Sequence, residues 1–358
     1  MILPLHTGIG PRLSLTVIAL ACLANGRATE PQLPNDPMEP IAAADGALTG
    51  PLSGALLVTR DLAMVRRAYV DGVGMTLQGP LPQSATQRRA QRQRWQMPAS
   101  MDWQVYHLSR PAVPSAIRVL VIVPDRDTPV IRRSFEREET GPYALGFAMR
   151  DLRAVDAHMV SLGLKRTLPA VNEYPLQLRD GTPYPVTEAS YEIGDFNRLV
   201  MMSRGAGLNQ TGEIDPATGL GGPNYSSLIV NDAAAMEQFF TAVLDYERRS
   251  SREWVVFQPR FRYITLHARG ARTGNLGLVE YDLRDRKTDS GIAPRPPNRG
   301  LAGWAFPVRD LNQILRRAHK LGLRPLSAPT RVEDPRFGMV RMTSLLAPNG
   351  LLIEIYAR

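Results

Sequence analysis

Cysteine is almost absent from this chain, and its scarcity restricts the chemistry open to the protein. Cys22 is the only cysteine among 358 residues, and it lies in an apolar stretch near the N-terminus. If that stretch is removed on export, the mature protein has no thiol. Disulfide bonds, cysteine nucleophiles and thiolate metal sites are then excluded together.

Common catalytic and nucleic-acid-binding motifs are absent as well. The sequence has no Gly-x-Ser-x-Gly elbow, phosphate-binding loop or dinucleotide fingerprint. It also lacks helix-turn-helix, zinc-finger and RNA-binding signatures, although its net charge is +9 and its pI is near 10.0. We therefore interpret the positive charge as a solvated basic surface and expect no nucleic-acid partner. After the N-terminal region, no segment is apolar over enough residues to predict a membrane span.

The N-terminal region has the pattern of a secretory signal. Residues 13–23 form an apolar run behind Arg12, and small residues ending at Ala28 follow. This predicts a signal peptide over residues 1–28, export to the periplasm or the exterior, and a flexible leader over 29–50. The alternatives are a lipid anchor through Cys22, since the residues before it loosely resemble a lipoprotein box, and a buried N-terminal helix.

The remainder of the chain divides into four similar segments. Each has an apolar run that leads to an aspartate and a helical pattern, and the four aspartates are Asp61, Asp151, Asp232 and Asp310. Aspartate is a good N-cap because its carboxylate accepts backbone N–H bonds in the first helical turn. The last segment, 300–358, continues to an Asn-Gly turn and a final strand, which predicts a βαβββ unit. We interpret the pattern as a fourfold internal repeat, against the alternative of four unrelated capped helices.

These modules resemble the vicinal oxygen chelate superfamily of glyoxalase, bleomycin-resistance and extradiol-dioxygenase proteins. The resemblance rests on four stretches: Leu301–Leu311, Gly350–Ile355, Ser227–Leu244 and Gly274–Tyr281. It implies an α+β fold of tandem paired βαβββ modules that form two curled-sheet cups, the glyoxalase/bleomycin resistance/dioxygenase fold. Each cup would hold a small ligand.

A glycine-rich stretch gives the expected domain boundary. We predict a linker over 205–222, between a first glyoxalase-like domain at 51–204 (modules 1 and 2) and a second at 223–358 (modules 3 and 4). Limited proteolysis would then cut the linker and leave two folded pieces. In module 1, an arginine-rich stretch before Trp95 predicts a solvated helix with that tryptophan turned inward.

The resemblance also implies where a metal would bind in metal-using members. Their ligands are a His or Gln at the start of a first strand and a Glu near the end of a last strand. The four first-strand positions hold poor ligands here, namely Gly54, Ala144, Tyr225 and Gly303. Glu354 matches the last-strand position, and Glu280 lies at a similar place. Two carboxylates without an imidazole bind Mg²⁺ or Mn²⁺ weakly and do not make a Zn²⁺ or Fe²⁺ site. We expect no metal cofactor, with a divalent ion at Glu354 as the alternative.

The candidate ligand-binding residues are Tyr225, His267, Glu280 and Glu354, in a cup made by modules 3 and 4. Strand alternation points Glu354 away from Ile353 and Ile355, toward the cup, with Tyr225 and His267 as its expected neighbours. The alternative for Glu354 is a strand glutamate paired with an arginine. For His267, as for His107, the alternative is a surface or satisfied core histidine. No catalytic residue is identified.

Three functions are compatible with these observations. The first is an exported protein that binds a small molecule in a cup without the family's usual metal. The second is a metal-dependent lyase, isomerase or dioxygenase with a carboxylate-only site, and the third is a cup protein whose basic surface binds a partner or membrane. The missing first-strand ligands favour the first. The ligand and any homo-oligomer stay open.

Overall fold

The computed structural model describes residues 46–358, except 125–126, 137, 168, 178–182, 205–212, 256–258, 272–273, 283–289 and 336. The predicted signal peptide, Cys22 and most of the predicted leader lie outside the described residues. The end of the leader is not free: Leu48 is buried in a hydrophobic core, and Thr49 pairs with Val308.

Four modules follow one another along the chain, as the repeat predicts. Module 1 contains β1 (Gly54–Thr59), α1 (Leu62–Val65) with a π-helical turn (Arg66–Gly72), β2 (Thr76–Gln78), α2 (Ala85–Trp95), β3 (Asp102–Arg110) and β4 (Val113–Val123). Module 2 contains β5 (Gly141–Met149), α3 (Leu152–Ser161), β6 (Asn172–Gln177), β7 (Pro183–Ile193) and β8 (Asn197–Arg204). Module 3 contains β9 (Leu220–Ile229), α4 (Ala233–Gln238) with a π-helical turn (Phe239–Val243), β10 (Tyr246–Trp254), β11 (Phe261–Ala268) and β12 (Asn275–Tyr281). Module 4 contains β13 (Gly300–Pro307), α5 (Leu311–Lys320), β14 (Thr330–Asp334), β15 (Gly338–Leu346) and β16 (Leu352–Ala357).

The four repeat aspartates are N-caps, so this prediction is confirmed. The carboxylates of Asp61, Asp151, Asp232 and Asp310 each accept the backbone N–H three residues on, at 2.8 to 3.1 Å. Each aspartate thus satisfies a donor that has no partner within its own helix, which fixes where the helix begins.

The strands form two eight-stranded sheets, and the expected pairing of consecutive modules is wrong. The first sheet has the order β14-β15-β16-β13-β1-β4-β3-β2, so it joins module 1 to module 4. The second has the order β10-β11-β12-β9-β5-β8-β7-β6, so it joins module 2 to module 3. The joints are the antiparallel pairs β1–β13 and β5–β9. The first strand of every module has one side free to pair with another module. The repeat alone does not determine which two first strands pair.

Consecutive modules nevertheless pack together through their helices. One core is built from the helices and strands of modules 1 and 2, and another from those of modules 3 and 4. In the second core, Phe240 of module 3 lies with its ring centroid 6.0 Å from that of Trp304 in module 4. The helices that follow the four capping aspartates thus cover one face of each sheet. We call the opposite face its concave face, and name the two concave faces the first cup (modules 1 and 4) and the second cup (modules 2 and 3).

The predicted linker is partly strand. Residues 205–212 lie outside the described residues, whereas 220–222 belong to β9. A Cβ at Gly221 would meet the carbonyl of Ala148 at 2.6 Å, and one at Gly222 would meet Ser115 Oγ at 2.5 Å. These two glycines therefore permit close contact between strands, which the sequence pattern does not distinguish from a flexible connection.

Candidate functional site

Glu354 lies in the first cup, with the orientation that strand alternation predicts. Its neighbours Ile353 and Ile355 enter the helix-side core with Leu311 and Ile314 of α5. Glu354 therefore points to the concave face, where it is buried.

There the carboxylate of Glu354 belongs to a network of buried charges. Arg118 Nη1 donates to Glu354 Oε2 at 2.5 Å, Trp95 Nε1 donates to Oε1 at 2.9 Å, and Arg94 Nε lies 3.6 Å from Oε1. Asp334 adds a second carboxylate 3.7 Å from Arg118. Burial would raise the pKa of Glu354, but Arg118 and Arg94 outweigh it and hold the pKa below its ordinary value. The arrangement is the arginine-paired strand glutamate that the sequence leaves open as the alternative.

The partner arginine occupies the matching position of the other module in this sheet. Glu354 pairs in register with Ala305, and Arg118 pairs with Leu56. Ala305 and Leu56 each lie two residues after a first-strand ligand position, so Glu354 and Arg118 are equivalent positions of modules 4 and 1. A guanidinium therefore neutralises the carboxylate that the family resemblance would assign to a metal.

These donors do not suit a metal ion. Arginine has no lone pair to offer, and Glu354 is already committed to two cations and an indole N–H. Within the described ranges, no group of three or more His, Cys, Asp or Glu side chains is placed to hold an ion.

The first cup is filled by its own chain. Trp95 at the end of α2, Met97 and Trp103 pack with Leu56 and Leu120 in one apolar cluster. The Trp95 ring is fully buried, 5.9 Å from that of Trp103 in an edge-to-face arrangement, so it is turned inward as the sequence predicts. His107 also faces this cup, directly opposite Arg118, and is buried.

Tyr225 and His267 lie in the second cup instead, so their expected proximity to Glu354 is wrong. Their strands, β9 and β11, belong to the sheet of modules 2 and 3, whereas β16 belongs to the other sheet. Along β11, Ile264 and Leu266 enter the helix-side core, which turns Tyr263 and His267 to the concave face.

Two tyrosines form the middle of the second cup. The hydroxyls of Tyr225 and Tyr263 lie 3.1 Å apart in a hydrogen bond. Their rings lie across glycines: a Cβ at Gly146 would be 2.4 Å from the Tyr225 ring, and one at Gly277 would be 2.3 Å from the Tyr263 hydroxyl. Both rings are partly exposed, so they offer a flat surface to a ligand.

Three buried polar side chains line one lateral row across this cup. Residues that pair across neighbouring strands form this row, in the order Ser190, Val200, Gly146, Tyr225 and Asn275. On the next strand, β11, Leu266 pairs with Leu276, so His267 lies beside Asn275. Ser190 Oγ, Asn275 Oδ1 and both ring nitrogens of His267 have no hydrogen-bond partner among the described residues. Their residues are only 4, 8 and 2% exposed, respectively. A buried polar atom without a partner costs about 1–3 kcal/mol, so the row is suited to a ligand or ordered water that would satisfy it.

Burial and two arginine charges act on the histidine in this row. Burial, with a further contribution from the charges of Arg249 and Arg204, lowers the pKa of His267 to about 3. The imidazole is therefore neutral at physiological pH, with one nitrogen to donate and one to accept. Burial raises the pKa of Tyr225 to about 12, and the carboxylate of Glu188 adds to the shift, while the hydrogen bond with Tyr263 opposes it.

Glu280 lies outside both cups. It accepts the backbone N–H of Ala233 at 3.0 Å at the start of α4 and binds Arg262 Nη2 at 2.5 Å. This position on the helix-covered face gives Glu280 a structural role at the helix N-terminus. The candidate set is thus divided three ways: Glu354 in the first cup, Tyr225 and His267 in the second, and Glu280 behind the sheet.

Several residues of the second cup were not predicted from the sequence. Tyr263 could have been found from the same β11 alternation that singles out His267. Asn275 and Ser190 could not, because their positions beside Tyr225 depend on pairing between modules distant in the sequence.

Sequence comparisons find no matching protein-family model and no matching curated protein. Solved structures do match. A point mutant of glyoxalase I from Zea mays superposes with a TM-score of 0.55 at 14% identity, covering 86% of this chain and 92% of that one. Unmutated maize glyoxalase I gives 0.53 at 13% identity over 86% of this chain and 92% of its own. A candidate dioxygenase from Bacillus subtilis strain 168 gives 0.53 at 10% identity over 87% of this chain and 86% of its own.

In the part of the chain that the structure describes, no helix combines the length and hydropathy needed to cross a membrane.

At such low identities the likeness to these solved structures concerns the fold alone. The two curled sheets, the four capped modules and the structural matches together give this chain the fold of the glyoxalase and dioxygenase structures that it resembles.

Proposed function

We propose that this protein binds a small molecule in its second cup, without the metal ion that the resemblance implies for metal-using members of the superfamily. The observation that carries the proposal is the row of buried, unsatisfied polar atoms at Ser190, Asn275 and His267, beside the partly exposed ring of Tyr225. Ligand sites combine apolar and aromatic surface with a few buried polar groups that fix orientation. The first cup offers no comparable space, since Trp95 and Trp103 fill it.

The metal-dependent alternative has less support. A metal ion at Glu354 would have to displace Arg118, which holds the carboxylate at 2.5 Å. In the second cup, the positions equivalent to Glu354 are Val200 and Gly277, which pair with Gly146 and Ser227. Val200 has no donor atom in its side chain and Gly277 has no side chain. These two positions therefore supply no ligand for a metal-dependent lyase, isomerase or dioxygenase.

A fragment screen tests the binding proposal. Purified protein is screened by ligand-observed NMR against small acids, alcohols and aromatics, and hits are measured by calorimetry with two variants. Tyr225→Ala removes a ring of the second cup, whereas Ser344→Ala removes a buried hydroxyl that pairs in register with Glu354 in the first cup. Hits should weaken tenfold or more with Tyr225→Ala and bind Ser344→Ala unchanged. The absence of hits, or hits weakened only by Ser344→Ala, would contradict the proposal.

Export remains a proposal that rests on the sequence of residues 13–28. The apolar run and the small residues before Ala28 support cleavage there. Mass spectrometry of the secreted or periplasmic protein should show the loss of about 28 residues. An intact Met1 in a cytoplasmic fraction would count against export, and a lipid on Cys22 would favour the anchored alternative.

A further inference from the structure

We propose that the ligand of the second cup is a small carboxylate with a flat aromatic body, its acid group beside His267 and its ring against Tyr225 and Tyr263. The inference rests on the proposed function and adds the chemical class of the ligand. It follows from charge, surface and spacing within one lateral row of the sheet.

The acid end is indicated by the charges around His267. Arg204 ends β8, where Val200 and Met202 face the cup, so alternation places Arg204 on the concave face as well. Arg249 lies at the β-bulge of β10, between Arg248, which pairs with Glu237 on α4, and Ser250, whose hydroxyl donates to Thr265. The charges of these two arginines, on different strands, both help to lower the pKa of the buried His267 imidazole. The positive potential that disfavours an imidazolium there favours a bound anion.

The neighbouring groups are suited to a carboxylate rather than a cation. Neutral His267 and the guanidinium groups can donate to carboxylate oxygens, and such charge-assisted bonds are the strong ones. Two carboxylates also lie near the cup: Glu188 on β7, whose charge acts on Tyr225, and Glu247, which lies 3.5 Å from Arg249. Asn275 Oδ1 accepts, so a hydroxyl or a water beside the acid group would satisfy it.

The apolar end is the pair of tyrosine rings. Tyr225 lies two strands from His267 in the same lateral row, which is roughly 10 Å at the usual strand spacing. Tyr263 lies four residues before His267 on β11, and its hydroxyl reaches that of Tyr225. A single aromatic ring with a short acid side chain spans this distance, whereas a bare anion leaves the tyrosine surface uncovered.

Binding of phenylacetate, measured by calorimetry on the whole protein, tests the class. The matched probes are 2-phenylethanol, which keeps the ring and replaces the acid, and acetate, which keeps the acid and lacks the ring. Phenylacetate should bind tenfold or more tighter than either. Arg204→Gln and Arg249→Gln should each weaken phenylacetate by about tenfold and leave 2-phenylethanol unchanged. Arg252→Gln, three residues along β10 and over Trp254, should change neither.

Three outcomes would overturn the inference. Equal binding of phenylacetate and 2-phenylethanol, both weakened by Tyr225→Ala, would leave the second cup as a binding site but remove the anionic class. Phenylacetate binding that survives both arginine variants would place its acid group elsewhere. If phenylacetate does not bind while other fragments still bind at Tyr225, the aromatic-carboxylate class is rejected. If no fragment binds at all, the proposed function itself is rejected. Thermal unfolding of each variant confirms that it is folded.

Discussion

At the scale of single residues, Glu354 lies at a position that the resemblance assigns to a metal ligand, yet its carboxylate forms an ion pair instead. The sequence places Glu354 in a ligand-binding cup, so Glu354→Gln is expected to alter ligand or metal binding and to change stability little. In the structure, the carboxylate balances Arg118 and Arg94 in a buried site. Removing one partner of a buried ion pair leaves an uncompensated charge.

We therefore expect Glu354→Gln to lower the free energy of unfolding by about 3–5 kcal/mol. Urea denaturation measures the change. Glu333→Gln, an exposed glutamate on β14 next to Asp334, is the control and should stay within about 0.5 kcal/mol of the wild type. Equal stability of the two variants would mean that the ion pair contributes nothing.

His267 makes stability depend on pH. The unfolded chain protonates this histidine near its ordinary pKa of 6.5, whereas the folded chain holds it neutral down to about 3. Between these values the unfolded state binds more protons, so stability is lost as the pH falls. From pH 7 to pH 5 the loss from this one group amounts to about 2 kcal/mol.

Urea denaturation of the wild type and of His267→Gln at the two pH values isolates this loss, because the remaining histidines are common to both proteins. The variant should lose about 2 kcal/mol less than the wild type over this range. His107→Gln, a buried histidine of the first cup, is the control for replacing any buried imidazole. Identical losses in the wild type and His267→Gln would show that His267 titrates normally in the folded protein.

At the scale of elements, the helix starts are the part of the fold that the sequence predicts best. Each N-cap depends on a few adjacent residues, so its signal is local. We expect Asp310→Ala to destabilise the protein by about 1 kcal/mol, since it removes the bond to the backbone N–H of Gln313 at 2.9 Å. Asn312→Ala, exposed in the same first turn, should stay within about 0.5 kcal/mol of the wild type in urea denaturation. A loss as large for Asn312→Ala would argue against the cap.

The face of the sheet to which a strand residue points also follows from a local pattern. The strand with which it pairs does not. Alternation along β16 orients Glu354, and alternation along β11 orients His267. Neither pattern indicates that β13 pairs with β1 rather than with β9. That choice depends on long-range packing, in which α2 and the two tryptophans fill the space between modules 1 and 4. The sequence could therefore identify Tyr225 and His267, but not the residues that surround them.

At the scale of the whole molecule, the crossed pairing predicts that the two halves do not separate. Each sheet takes four strands from each half, so a cut within 205–212 leaves both sheets shared between the fragments. After limited proteolysis, the fragments should co-elute in native size-exclusion chromatography and part only in denaturant. The sequence pattern predicts two independently folded pieces instead, and recovery of such pieces would contradict the shared sheets.

A crystal structure with phenylacetate tests most directly whether the second cup holds the ligand while the first cup is closed by its own chain. We predict density for the ring against Tyr225 and Tyr263 and for the carboxylate beside His267, with Trp95 still hydrogen-bonded to Glu354. Density for the ligand in the first cup, with α2 displaced and Arg118 turned away from Glu354, would contradict this assignment.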